Sequence, residues 1–190
     1  MLSVMMDNSR CSVLDFDYDA ENISLPLIFT DSAYDSLLFG SLPSEIVHSL
    51  ATDNVTFNAH DNGLSPSKYY SSTSLQSYVD ILSTNYDRNG KEFVSSYEGK
   101  KYPLWGLQFH PSRLAYEWKP YENMNHTPQA IADMQFIAYQ LYDQARHSHH
   151  SFNKPGLLQK SLIYNYPPMY TAPMCSMFEQ CYIWSTVEAK

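Results

Sequence analysis

Long apolar runs are missing from this 190-residue chain: its most apolar stretch, Leu25-Pro26-Leu27-Ile28-Phe29, falls far short of the ~20 residues that cross a membrane as a helix. Positive charge is scarce too, with 12 Lys and Arg scattered against 20 Asp and Glu and a net charge of −8. A nucleic-acid binder needs clustered cations to displace counterions, so that class is excluded. Cysteine is sparse: Cys11, Cys175 and Cys181 are odd in number and form no C-x-x-C pair, which indicates neither a zinc ribbon nor a disulfide framework. They read as small buried hydrophobes. Only 6 Gly stand against 11 Pro, and 44% hydrophobic with 15% aromatic content rules out collagen-like, linker and disordered chains. Residues Met1–Asp7 carry no basic segment and too short an apolar stretch for a secretory leader.

What is present is one domain's worth of chain, enough to bury about 70% of its unfolded surface. Leu2, Met5 and Met6 fall near helical spacing, in a short helix with no cap before it. Strands are expected at Cys11–Phe16 and Ile23–Phe29. A short helix follows Leu42-Pro43-Ser44-Glu45, with Pro in its first turn. Leu75–Leu82 reads as helix passing into strand, and Asn85–Gly90 as a hairpin leading into a strand at Glu92–Tyr97. Leu104–Phe109 is another strand, stopped at His110-Pro111. From Thr127, an N-cap candidate followed by Pro128, a helix runs to about His147 with Ile131, Met134, Ile137, Ala138, Leu141 and Ala145 on one face. Leu162–Tyr166 is strand-like and stops at Pro167-Pro168.

Chemistry-bearing residues are few. His147, His149 and His150 suit a helix C-terminus, where the dipole is negative, and lack the acidic or sulfur partners of a metal site. His110 ends an apolar strand just before a proline, the place where open α/β sheets put ligands and catalytic groups; a structural histidine fits the same position. Three N-x-S/T sequons occur, at Asn22, Asn54 and Asn125, where this composition gives about two by chance.

The segment Lys101-Tyr102-Pro103-Leu104-Trp105-Gly106-Leu107-Gln108-Phe109-His110-Pro111, followed by Tyr116-Glu117-Trp118, closely resembles the gamma-glutamyl hydrolases. These are the folate polyglutamate hydrolases of the class I glutamine amidotransferase-like superfamily. The resemblance continues through Ala145-Arg146, His149–Phe152, Leu162–Tyr164, Tyr170-Thr171 and Gln180–Ile183, and upstream through Pro26–Thr30 and Leu42–Glu45, so it covers nearly the whole chain. Gly-x-Gln-x-His-Pro alone points to the superfamily; the Tyr-Glu-Trp and Gln-Cys-Tyr-Ile pieces point to this family.

The resemblance implies an α/β, flavodoxin-like three-layer sandwich, incomplete at the N-terminus, with residues 1–190 as the C-terminal portion of one domain. It implies hydrolysis of gamma-glutamyl bonds in folylpoly-gamma-glutamates by a cysteine thiolate and a histidine, with no metal or organic cofactor and no nucleic-acid or membrane partner. His110 matches the catalytic histidine and His60 a second histidine near the substrate. The nucleophile elbow would fall just upstream of Met1, and none of the three cysteines replaces it. Ser112 stands where the pattern has a carboxylate that orients the histidine; serine accepts a hydrogen bond but does not stabilise imidazolium as a carboxylate does. Glu117 serves only if the fold brings it back. A full-length protein would be secreted or lysosomal, glycosylated at Asn22, Asn54 and Asn125, and homodimeric. With the early strands missing, an exposed sheet edge and an uncovered apolar face are expected, leaving the chain alone aggregation-prone or only partly folded. The competing reading is a non-catalytic relative that keeps the scaffold for binding; an ammonia-channelling amidotransferase ranks third.

Overall fold

A computed structural model describes residues 2–7, 13–174 and 178–184. The chain divides after His147 into two compact units. The first contains α1 (Leu2–Asp7), β1 (Ala20–Leu25), β2 (Ile28–Phe29), α2 (Asp31–Tyr34), α3 (Ser44–Thr52), β3 (Thr56–His60), α4 (Pro66–Ser71), α5 (Thr73–Tyr78), β4 (Val79–Tyr86), β5 (Glu92–Gly99), β6 (Trp105–Leu107) and α6 (Pro128–Arg146). The second contains α7 (Leu157–Ser161), a 3-10 turn (Ile163–Asn165), β7 (Met169–Tyr170) and β8 (Gln180–Cys181).

This is a mixed α/β protein. Its main sheet has the order β2-β4-β5-β6, while β1 pairs with β3 and β7 with β8. Every strand pair among the described residues is antiparallel. Pro26 lacks the N–H a ladder needs, so the strand expected at Ile23–Phe29 becomes two strands in different sheets, and the Leu27 amide bonds the Leu50 carbonyl at 2.6 Å. β1 also bulges between Ala20 and Ile23, where Asn22 takes a φ of 53°.

The hairpin between β4 and β5 forms as the sequence predicts. Asp87 accepts the amides of Asp19, Asn89 and Lys91 at 2.8–2.9 Å, and Gly90 supplies the left-handed φ of 77°. Burial works against this carboxylate, but the amides of Lys91, Asp19 and Asn89 and the Lys91 charge outweigh it and hold its pKa below the usual range.

The principal core joins Leu50, Phe57, Leu82, Leu114, Met134 and Ile137, so α3, β3, β4 and α6 meet there. α6 is capped as expected, Thr127 Oγ1 accepting the Ala130 amide at 3.2 Å with Pro128 in the first turn. Its buried face is narrower than the spacing suggests: Ala130, Asp133, Met134 and Ile137 are buried, whereas Ala138, Leu141 and Ala145 are exposed. The last turns of α6 run past the core that covers the first ones.

Three further expectations are corrected. α3 begins at Ser44 with Pro43 in the N-cap position, so the proline precedes the first turn. Of the strand expected at Cys11–Phe16, Cys11 and Ser12 lie outside the described residues, and only Asp15 pairs, in an isolated bridge to Gly63. Asp17, at a φ of 61°, turns the chain away from any longer ladder. Leu162–Tyr166 is not a strand: Asn165 Nδ2 donates to the Gln159 and Leu162 carbonyls, and the amides of Asn165 and Tyr166 close local turns. Local bonds take the groups that a neighbouring strand would have used.

Candidate active site

Two histidines, one ending β3 and one in the segment after β6, lie within electrostatic reach of each other in the first unit. β3 ends at His60. After β6 the chain bends at Gln108 and Phe109: the Gln108 amide bonds the Ser95 carbonyl at 2.8 Å, and the His110 amide then bonds the Phe57 carbonyl at 2.9 Å. Pro111 has no amide to continue a ladder, and the chain turns through residues 111–116. His110 is therefore fixed by its backbone where one strand leaves β5 and reaches β3.

The Gly-x-Gln-x-His-Pro run is also held by packing. A methyl group on Gly106 would fall inside the van der Waals envelope of the Tyr97 ring, so only glycine fits under it. Tyr97 is reached by the Ser3 hydroxyl of α1 at 3.4 Å. Ser3, Asn62, Ser95, Tyr97, Gly106 and Gln108 line a cavity of about 280 Å³. α1 and the Gln108 strand thus border one polar hollow.

His60 is 8% exposed, and neither ring nitrogen has a hydrogen-bond partner among the described residues. Its ring packs edge-on to Phe93 at 4.7 Å between centroids and lies tilted to Tyr18 at 6.1 Å. Burial lowers its pKa to about 4; the nearby Asn62 backbone opposes this without making a well-formed hydrogen bond, and His110 adds to the lowering. His110, half-buried, also has a lowered pKa, first through burial and then through the Arg113 charge, against Glu117 and Glu21. Both shifts favour the neutral ring. A neutral His110 is a proton acceptor, the state that thiol activation requires.

Ser112 is exposed and makes no hydrogen bond to His110. Glu117 does come back to it electrostatically, but Arg113 claims its carboxylate: Nε donates to Oε2 at 2.8 Å and Nη2 approaches the same oxygen at 2.7 Å. Arg113 also reaches Glu122 at 2.5 Å and lies over the Phe57 ring at 4.9 Å. Sequence reading missed Arg113; its signal was an arginine three residues after the histidine with glutamates four and nine residues further on.

The remaining candidates lie apart from this pair. His147, His149 and His150 are exposed after α6, with His147 3.9 Å from Asp143, and no group of three or more His, Cys, Asp or Glu among the described residues is placed to hold a metal. Cys11 and Cys175 lie outside the described residues, while Cys181, in β8, accepts from Thr171 Oγ1 at 3.3 Å. Asn22, Asn54 and Asn125 share one surface groove. No described helix is long and apolar enough to cross a membrane.

Among curated proteins, the chain is 38% identical over 170 residues to gamma-glutamyl hydrolase B of Dictyostelium discoideum, covering 90% of this chain and 49% of that protein. It is 36% identical over 167 residues to gamma-glutamyl hydrolase of Homo sapiens, covering 87% and 52%. It is 32% identical over 188 residues to gamma-glutamyl hydrolase 1 of Arabidopsis thaliana, covering 97% and 52%. No family model matches. The chain spans about half the length of the curated relatives it matches. That sustained identity over most of its length places the chain in the gamma-glutamyl hydrolase family.

Proposed function

We propose that the whole protein hydrolyses gamma-glutamyl bonds of folylpoly-gamma-glutamates, and that this chain supplies the histidine half of its site. The observation that carries this is the backbone bond that fixes His110 to Phe57 of β3, the strand that ends at the buried His60. His110 takes the proton of a cysteine thiol carried on a segment preceding α1. The thiolate attacks the gamma-carbonyl carbon, and the C–N bond breaks as imidazolium returns the proton to the leaving amine. Water then cleaves the thioester. His60, uncharged and set among Tyr18 and Phe93, lies on the substrate side.

On this reading the described fold belongs to a single domain, a larger three-layer sandwich of the class I glutamine amidotransferase-like type. The protein is secreted or lysosomal, glycosylated and homodimeric, and it needs no cofactor. The test is glutamate release from a pteroyl gamma-linked oligoglutamate by the complete gene product. His110→Ala should lower kcat by about 10²–10⁴-fold with KM little changed. Equal turnover by the variant would remove His110 from the chemistry.

One observation favours a second reading. Ser112 makes no hydrogen bond to His110, and the nearest carboxylate, that of Glu117, is bound by Arg113. A non-catalytic relative would bind the oligoglutamate without releasing glutamate.

A further inference from the structure

We propose that, of the three sequon asparagines, Asn54 is the one that carries an N-linked glycan in the folded protein. The inference rests on the secretory route proposed above, and the experiment imposes that route.

The fold treats the three side chains differently. Asn22 is half-buried at a left-handed φ; its Oδ1 accepts the Asn123 amide at 2.6 Å, and its Nδ2 donates to the Tyr121 carbonyl at 2.9 Å. Both ends of this carboxamide tie β1 to residues about a hundred positions later. Asn125 is likewise half-buried and engaged at both ends: Oδ1 accepts the Thr127 amide at 3.0 Å, and Nδ2 donates to the Asn54 carbonyl at 3.2 Å. Thr127 is the cap of α6, so the Asn125 bond also positions that helix start. Asn54, between α3 and β3, is exposed, and its carboxamide makes no hydrogen bond among the described residues.

Transfer forms a bond from Asn54 Nδ2 to the anomeric carbon of the sugar. The C–O bond to the diphosphate of a lipid-linked oligosaccharide donor breaks, the diphosphate leaves with the bonding pair, and the transferase takes one Nδ2 proton. Transfer acts on unfolded chain, so the fold selects afterwards. A sugar on Asn22 or Asn125 replaces a donor hydrogen of a bonded, half-buried carboxamide and pushes bulk between segments that must close. Asn22, Asn54 and Asn125 also converge, with Arg88 and Asn123, on a single groove of about 420 Å³. Three glycan stems compete for that space, and only the Asn54 side chain is free to leave it for solvent.

The complete gene product, behind a cleavable leader that forces entry into the secretory lumen, is recovered from the soluble luminal or secreted fraction. It is then treated with peptide-N-glycosidase in ¹⁸O water, which marks each formerly glycosylated asparagine as heavy aspartate. The label is expected at Asn54 and absent from Asn22 and Asn125. Label at Asn22 or Asn125, or an unlabelled Asn54, overturns the proposal. In unglycosylated bacterial protein, Asn22→Gln and Asn125→Gln should each lower the thermal midpoint by roughly 4 °C, with Asn54→Gln unchanged. Equal shifts for all three would overturn the distinction even if secretion fails, and none of these readouts depends on hydrolase activity.

Discussion

Arg113 sets the charge that His110 experiences. Its guanidinium binds Glu117 and Glu122 while its own charge favours the neutral imidazole. Arg113→Met removes that charge and frees Glu117, so the His110 pKa rises. The acid limb of kcat/KM in the complete gene product then moves to higher pH. An acid limb that stays in place would mean that burial alone sets this titration. The same change leaves Lys119, at 3.8 Å from Glu117 and 3.6 Å from Glu122, as their remaining cation, and Glu122 Oε2 is already buried without a partner among the described residues, so a stability loss of about 1–3 kcal/mol accompanies it. His60 makes the second residue-scale prediction. Its pKa of about 4 lies below the ordinary 6.5, so between those values the unfolded chain binds a proton that the folded chain refuses. Stability from this group is complete above pH 6.5 and falls as pH drops toward 4, by about 1.4 kcal/mol per pH unit where the difference is a whole proton. His60→Gln should flatten that part of the urea-midpoint profile. An unchanged slope would assign the acid sensitivity to other groups. His110 was visible in the sequence because a histidine before a proline at the end of an apolar run belongs to a local motif, whereas His60 was visible only through the family resemblance. Arg113 was not, because its role comes from a turn that folds Glu117 and Glu122 onto it.

At the scale of elements, α3 and α6 are joined by a buried polar contact within an otherwise apolar core. Ser49 Oγ lies 2.6 Å from Asp133 Oδ2 and 3.2 Å from Asp53 Oδ2, and its single proton serves one carboxylate at a time. Asp133, 0% exposed, also accepts from Gln129 Nε2 at 2.8 Å. Burial raises its pKa, Asp53 adds to the rise, and the bonds from Ser49 and Gln129 oppose it. A carboxyl with a raised folded-state pKa stabilises the fold below its unfolded pKa and loses that contribution as pH rises through the folded value. Asp133→Asn keeps the volume and an acceptor without the charge, so its thermal midpoint near pH 7 should match or exceed that of the parent. As pH falls toward the ordinary carboxylate range the two should draw together. Asp133→Ala, which leaves Ser49 and Gln129 without their acceptor, should cost about 1–3 kcal/mol at both ends of that range. A midpoint for Asp133→Asn as low as that for Asp133→Ala would show that the ionised carboxylate itself stabilises the contact. Periodicity located α6 and its cap but assigned Asp133 no place on the buried face, because spacing rules count apolar residues and this contact is polar on both sides. The two strand expectations that failed, at Cys11–Phe16 and Leu162–Tyr166, share a cause. Apolar content makes a segment look extended, and the left-handed Asp17 and the carbonyl-seeking Asn165 decide otherwise.

For the molecule as a whole, stability is concentrated in the first unit. Every buried hydrophobic side chain among the described residues lies between Val13 and Ile137. In the second unit Thr171 is the sole buried residue among those described, while Tyr164 is 89% exposed and Met174 76%. The second unit is held by short local turns and a two-residue strand pair, a set of contacts that opens at little cost. The sequence could not reveal this difference. Leu157, Leu162, Ile163 and Trp184 are as apolar as the residues of α3 or β4, and only the fold shows that one set meets a core and the other does not. Hydrogen exchange on the chain expressed alone should therefore separate the units. Amides of β3, β4 and β5 should be protected to the level of global unfolding, and those of 157–170 should exchange at rates near those of an unfolded peptide. Repeated on the complete gene product, the same measurement says what the apolar side chains of the second unit do. Protection gained across 157–170 would mean that the rest of the protein covers them. Protection already present in the chain alone would mean that this unit forms a cooperative structure without a core of its own, contrary to its burial.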